Sequence, residues 1–363
     1  MEGINGNIPL DDTRPKQLWT EEWSNQLFVK VGNGSETGWG EVLPAALNSA
    51  KPYLDLIEIM GKLIENQNES EIRKLWGKMR RSSFNGGTGI VYGSISGIDI
   101  AFWDLKGKKL GLPVYSLIGG SKGKVKRYAS LSRYGKTENV LEVVKNLLDS
   151  GYRSIKLHER KEDTLEAVRI IRKNLGYEFD LMVDMNCAFQ YPRAVKFANE
   201  VSKYELKWIE EPIWPPNDFE SLKKVNELVP VAAGENLFDV LDFIRVAQMD
   251  ALTYYQPDVT KIGGVTPMID LCIILDNMQK KIAFHCRPHN GWVGILSSAH
   301  IARGLELDCL VETPPNEIPE DFFKFSGEID KDHITPDGSG LGITPLDNIP
   351  IRKAQKVLKF HSD

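Results

Sequence analysis

The sequence predicts an α/β fold: a TIM-like barrel of parallel strands behind a smaller α+β unit. Three observations predict it. From about Lys124 onward, short apolar strands alternate with amphipathic helices. Polar residues at the ends of those strands recur every 23 to 27 residues, one βα repeat each time. Before Lys124 the order is different, with extended turn-rich chain first and helices afterwards, the pattern of an α+β unit.

The first unit opens with β-branched and aromatic residues over Trp23 to Val31 and Gly38 to Leu43. The Gly32-Asn33-Gly34 turn between them makes a hairpin. Lys51 to about Lys109 reads as helical. In Ser94–Leu110, residues Ile95, Ile98, Phe102 and Leu105 lie on one stripe, and Gly111 and Pro113 stop the helix.

The barrel strands are Lys126–Leu131, Ser154–His158, Leu181–Asp184, Lys207–Glu210, Val231–Glu235, Leu252–Gln256, Lys281–His285 and Cys309–Glu312. Between the first two, Thr137 is expected to cap a helix carrying Val140, Val143, Val144, Leu147 and Leu148, which Gly151 ends. The expected division is a capping unit over 1–122, a barrel over 123–330 and a tail over 331–363 that returns to the capping unit. Its size fits ordinary domains, since 363 residues suggest roughly two.

Composition narrows the function classes. The chain has 45 Lys and Arg against 50 Asp and Glu, a net charge of −5, and no dense basic stripe, so nucleic acid is not an expected partner. The longest apolar runs, such as Leu271–Leu275, are too short for a bilayer, so no membrane partner is expected either. The N-terminus shows no basic-then-apolar signal pattern, and the four cysteines form no C-x-x-C pair. They read as reduced thiols in a cytoplasmic protein.

In such a barrel the strand ends face the active site. Asp184, Glu210 and Glu235 end three consecutive strands, and neighbouring carboxylates repel unless a cation sits among them. Hard oxygen ligands of this kind suit Mg²⁺. A single acid there is more often a salt-bridge partner, but three in register favour a metal. Asp258 and His285 end the next two strands, and a carboxylate behind an imidazole makes a general acid/base; a buried structural pair is the alternative. Lys156 and His158 are two apart on one strand and so share a face. Lys156 either supplies charge or only neutralises the acids; His158 is either a second base or hydrogen-bonded and inert. Glu312 donates a hydrogen bond to a substrate oxygen if protonated, or is a plain structural acid. Arg287 and His289 are polar for a strand exit; they bind distal hydroxyls or are solvated loop residues. Gly263-Gly264 lacks the P-loop pattern and reads as a turn.

With these residues the chain resembles the mandelate racemase/muconate lactonizing enzyme family, mandelate racemase subgroup, of the enolase superfamily. The matching stretches are Ser96-Gly97-Ile98-Asp99-Ile100-Ala101-Phe102-Trp103-Asp104-Leu105-Lys106-Gly107, Val183-Asp184-Met185-Asn186, Trp208-Ile209-Glu210-Glu211-Pro212, Gly234-Glu235-Asn236 and Pro257–Thr266. The resemblance implies a modified barrel of (β/α)7β type with an N-terminal α+β capping domain, and Mg²⁺ held by Asp184, Glu210 and Glu235. It implies proton abstraction α to a carboxylate through a metal-stabilised enediolate, with the Asp258–His285 dyad, Glu312 at the substrate carboxylate and Asn186 as a substrate-contacting amide. A homo-oligomer is expected on the same ground. Two departures stand out: Lys156-Leu157-His158 replaces the subgroup's Lys-x-Lys, and the chain is expected to begin within or after the family's first strand. The activity expected is dehydration of a sugar acid or other α-hydroxy carboxylate to a 2-keto-3-deoxy acid. The alternatives are a racemase or epimerase using His158 and His285 on opposite faces, and a non-catalytic carboxylate-binding barrel.

Overall fold

A computed structural model of the chain describes residues 2–5, 25–32, 34–44, 50–159, 161, 163–287, 292–315, 322–346 and 353–354. The described chain opens on β1 (Glu2–Asn5), which pairs antiparallel with β2 (Asn25–Gly32). β2 and β3 (Thr37–Val42) form the predicted hairpin, with Val31 opposite Gly38; Trp23 lies outside the described residues.

Helices α1 (Lys51–Ile64), α2 (Ile72–Ser82) and α3 (Ile90–Leu110) follow. The predicted stripe on α3 understates its burial, because the helix is buried on every side from Tyr92 to Leu105. The capping sheet covers one flank and the barrel another, and a helix covered all round needs no polar face. Gly40 makes the close approach possible, since a Cβ there would overlap the Gly97 carbonyl of α3. Gly111 ends α3 at φ +65°, as a left-handed C-terminal glycine does.

After the short α4 (Val114–Ile118), eight parallel strands alternate with seven helices. They are β4 (Val125–Ser130), α5 (Thr137–Asp149), β5 (Ser154–Leu157), α6 (Thr164–Leu175), β6 (Asp180–Asp184), α7 (Tyr191–Val201), β7 (Trp208–Glu210) and α8 (Phe219–Asn226). The series continues through β8 (Val231–Ala233), α9 (Val240–Gln248), β9 (Tyr254–Tyr255), α10 (Val265–Asn277), β10 (Lys281–Phe284), α11 (Trp292–Gly304) and β11 (Leu310–Thr313). β11 pairs with β4 and closes the barrel, so the architecture is (β/α)7β. Thr137 is the first residue of α5 rather than its cap, and the Lys136 side chain in the cap position makes no capping bond.

Alternation along the strands builds the interior. Tyr128, Met182, Trp208, Ala232 and Ala283 form one buried layer, with Tyr254 and Leu310 packed against it. Trp208 meets Tyr128 edge-on at 5.3 Å and Tyr254 at 4.8 Å. This aromatic floor plugs the barrel, and the next inward residues lie above it.

After β11 the chain reaches the capping unit before residue 331, where the tail was expected to start: β12 (Phe323–Phe325) pairs with β15 (Ile343–Pro345), and Phe323 packs edge-on against Phe28 and Trp39. Between them, β13 (Glu328–Ile329) pairs with β14 (His333–Thr335), which runs antiparallel to the start of β4. Leu341 donates its N–H to Asp104 of α3, and β16 (Lys353–Ala354) pairs with β1. No described helix is long and apolar enough to cross a membrane.

Candidate active site

Continuing the inward alternation past the floor brings Ser130, Lys156, His158, Asp184, Glu210, Gln256, His285 and Glu312 to the C-terminal end of the barrel. Asp184 and Glu210 are direct register partners on adjacent strands, so two carboxylates stand side by side. Lys156 is fully buried beside them, its Nζ 2.7 Å from Glu210 Oε1, 2.8 Å from Glu312 Oε1 and 3.7 Å from Asp184 Oδ2. Glu210 Oε2 also accepts from Trp208 Nε1 at 3.0 Å and Gln256 Nε2 at 2.6 Å. The floor tryptophan thus finds its polar partner in the site.

His158 Nε2 lies 2.9 Å from Asp184 Oδ2. Across the mouth, His285 Nδ1 lies 2.7 Å from Asp258 Oδ2 and its Nε2 lies 2.6 Å from Glu235 Oε2. Asp258 is fixed in turn, since its Oδ1 accepts from the Thr260 N–H (2.7 Å) and hydroxyl (2.6 Å). Lys261 donates to the Glu235 carbonyl at 2.9 Å. Arg287 lines a small cavity with Glu41, Asp258, Thr260, Cys286, Gly294 and Ile295. His289 lies outside the described residues.

Burial and charge act in opposition here. Burial alone would lower the His285 imidazole, but the Glu235 charge and the Asp258 hydrogen bond outweigh it and hold the ring up at about 10. Burial would raise Glu235, yet His285 and Lys261 hold it well below the usual carboxylate range. Asp184 is likewise lowered, because His158 and Lys156 outweigh its burial. Glu210 goes the other way: burial lifts it well above its ordinary value despite Lys156. Its neighbour Glu211, buried and facing the charges of Glu235 and Asp184, is pushed up to about 8.

Burial would raise the Glu312 carboxyl, but Lys156, His285 and His158 outweigh that and lower it. Its Oε2 accepts from the Cys286 N–H at 3.2 Å.

Among the described residues, no group of three or more His, Cys, Asp and Glu side chains is arranged, as it stands, to hold a metal ion. Asp184, Glu210 and Glu235 instead face Lys156, His158 and His285, the cations and imidazoles within reach. The chemistry of the donor set nevertheless fits a hard divalent cation: three oxygen acids at successive strand ends, two of them in direct register.

Several site residues escaped sequence reasoning. Gln256 shares an inward face with Tyr254, and that spacing was the available signal. Glu211 was visible only as the second acid of Glu210-Glu211-Pro212; its carboxylate accepts from Asn236 Nδ2 at 2.9 Å. Glu41 is fully buried and accepts the Gly294 N–H at 2.9 Å, a contact between β3 and α11 that no local pattern signals.

The chain belongs to the mandelate racemase/muconate lactonizing enzyme family of the enolase superfamily. Residues 11–119 match that family's N-terminal domain, and residues 139–349 match the enolase C-terminal domain-like family. An arabinonate dehydratase from Saccharolobus solfataricus is 29% identical over 325 residues, 86% of each chain. A D-galactonate dehydratase from Ralstonia pickettii is 30% identical over 274 residues, 72% of this chain and 71% of that one. The L-talarate dehydratase structure from Polaromonas sp. JS666, complexed with Mg and L-glucarate, shares the fold. Its TM-score is 0.79 at 23% identity, covering 91% of this chain and 92% of that one.

Proposed function

We propose that the protein is a Mg²⁺-dependent hydro-lyase that dehydrates a sugar acid or related α-hydroxy carboxylate to a 2-keto-3-deoxy acid. The observation that carries this reading is the pair of buried imidazoles, His158 and His285, around one cluster of strand-end carboxylates. The sequence relatives named as sugar-acid dehydratases support the same class.

In this reading Asp184, Glu210 and Glu235 hold the Mg²⁺. When bound, the cation offsets the negative charge that both oxygens of the substrate carboxylate gain as the α-proton leaves. Lys156, held among Glu210, Glu312 and Asp184, adds fixed positive charge to the same region without reorganising. His158 is the base that takes the α-proton. Asp258 holds Nδ1 of His285, so Nε2 is the nitrogen that delivers a proton to the departing β-hydroxyl. The two imidazoles come from β5 and from the end of β10, which are separated by β4 and β11 around the barrel. That separation also suits the second reading, epimerisation of a 2-hydroxy acid with one imidazole on each face.

The test is a panel of sugar acids with Mg²⁺, read as 2-ketoacid semicarbazone. Wild type is expected to produce ketoacid from at least one acid. His285→Asn is expected to lose roughly 10²- to 10⁴-fold in turnover, the usual contribution of a general acid/base. Unchanged turnover in that variant removes His285 from the mechanism.

A further inference from the structure

Glu41, on β3 of the capping unit, is a fully buried acid that the mechanism above does not use. Its strand lies directly on α3. A Cβ on Gly38 would lie 2.0 Å from the Ala101 carbonyl oxygen, and one on Gly40 would lie 1.9 Å from that of Gly97. Packing this close leaves the backbone beside Glu41 little room to shift. From there Glu41 Oε2 accepts the Gly294 N–H at 2.9 Å. Gly294 is the third residue of α11, and its N–H is one of the opening groups that a helix cannot bond for itself. The capping unit thus supplies a carboxylate to the start of a barrel helix, where a negative group is favoured.

Gly294 is also where two short routes to the His285–Asp258 dyad begin. On one side, a Cβ at Gly294 would meet Thr260 Cγ2 at 2.7 Å, so the Thr260 methyl packs on the glycine. Thr260 gives both its N–H and its hydroxyl to Asp258 Oδ1, and the other Asp258 oxygen holds His285 Nδ1. On the other side, the Gly294 carbonyl accepts the Ser298 hydroxyl at 3.1 Å, and Ser298 Oγ accepts the Cys286 thiol at 3.7 Å. Cys286 directly follows His285. Every residue on both routes is buried.

We propose that Glu41 is a positioning residue for the general acid: by holding Gly294 it keeps Asp258 and His285 in the geometry from which His285 delivers its proton. The inference rests on the dehydratase reading, in which His158 takes the α-proton and His285 acts as the hydroxyl leaves. Misplacing His285 alone slows the second event and spares the first.

The experiment uses the full-length enzyme with Mg²⁺ in D₂O, with a five-carbon and a six-carbon aldonate as probes. NMR follows the ketoacid formed and the deuterium gained at C2 of the unreacted acid. Glu41→Asp keeps the charge but is one methylene too short to reach Gly294. It is expected to lower kcat for ketoacid about 10- to 100-fold, the scale of a misplaced catalytic group, with KM within about threefold. Deuterium at C2 of the unreacted acid is expected to rise as ketoacid falls. Glu41→Gln keeps an acceptor at full reach and is expected to retain more turnover than Glu41→Asp. Exchange lost in step with ketoacid, or unchanged turnover in Glu41→Asp, makes Glu41 a purely structural contact and overturns the proposal. A second measurement does not depend on turnover. The His285 Nδ1 proton shared with Asp258 gives a downfield ¹H signal, identified by its absence in His285→Asn. It is expected to shift or broaden in Glu41→Asp and to persist in Glu41→Gln; an unchanged signal in Glu41→Asp overturns the proposal. If wild type forms no ketoacid and exchanges no deuterium, the dehydratase reading fails, and this signal alone decides for Glu41.

Discussion

Lys156 and His300 are both buried in the barrel domain, and their partners give them opposite electrostatic fates. Lys156 has carboxylates on three sides, which raise it well above its ordinary value despite its burial. His300, on α11, accepts the Tyr115 N–H on Nδ1 at 3.2 Å and stacks on the Tyr115 ring at 5.6 Å. Burial dominates there and pushes it down to about 4 from 6.5. The unfolded chain protonates this histidine below about pH 6.5, while the folded chain resists until about pH 4. Stability is therefore present at neutral pH and lost as the pH falls between those values. Thermal melts from pH 7 to 4.5 are expected to fall more steeply for wild type than for His300→Gln; equal slopes would show that His300 titrates normally. At this scale the sequence was most legible where residue type and strand position coincide, as for Asp258 and His285. For Glu312 the sequence left two roles open, because its surroundings, Lys156 at 2.8 Å among them, are set only when the barrel closes.

At the scale of elements, the long matching stretch on α3 proves to be a joint. Asp99 reaches from α3 to the start of α10, where its carboxylate accepts the Thr266 N–H at 2.8 Å and the Thr266 hydroxyl at 2.6 Å. Trp103 Nε1 donates to the same hydroxyl oxygen at 2.9 Å, and Ser96 accepts the Gly263 N–H at 2.8 Å. Gly264 sits between at φ +101°, where a Cβ would strike the Asp99 carboxylate. The Gly263-Gly264 pair is thus a turn clasped by α3. Asp99 acts as a helix cap supplied from another domain, and Asp99→Ala is expected to cost about 1 to 2 kcal/mol in chemical denaturation. A loss below about 0.3 kcal/mol would show that the contact adds nothing. Strand periodicity made the barrel elements readable to within a few residues. Inter-element contacts such as Asp99–Thr266 and Glu41–Gly294 were not readable, because they join segments far apart in the chain.

For the whole molecule, the capping sheet, α3 and the tail converge on one end of the capping domain, while the barrel's polar layer collects the chemistry at its mouth. Glu41 links the two, running from β3 to the first turn of α11 beside Arg287 and Asp258. The regular 23- to 27-residue interval made this arrangement legible, since it placed one polar residue per strand end on a common rim. The capping contacts that shape the mouth carry no such period. The central claim is that an α-proton is removed and a β-hydroxyl is then lost from the same substrate. The direct measurement is NMR of the reaction run in D₂O with Mg²⁺. The account predicts a 2-keto-3-deoxy acid carrying one deuterium at C3, delivered when the enol tautomerises. Deuterium at C2 of a recovered diastereomer, with no ketoacid formed, would contradict it.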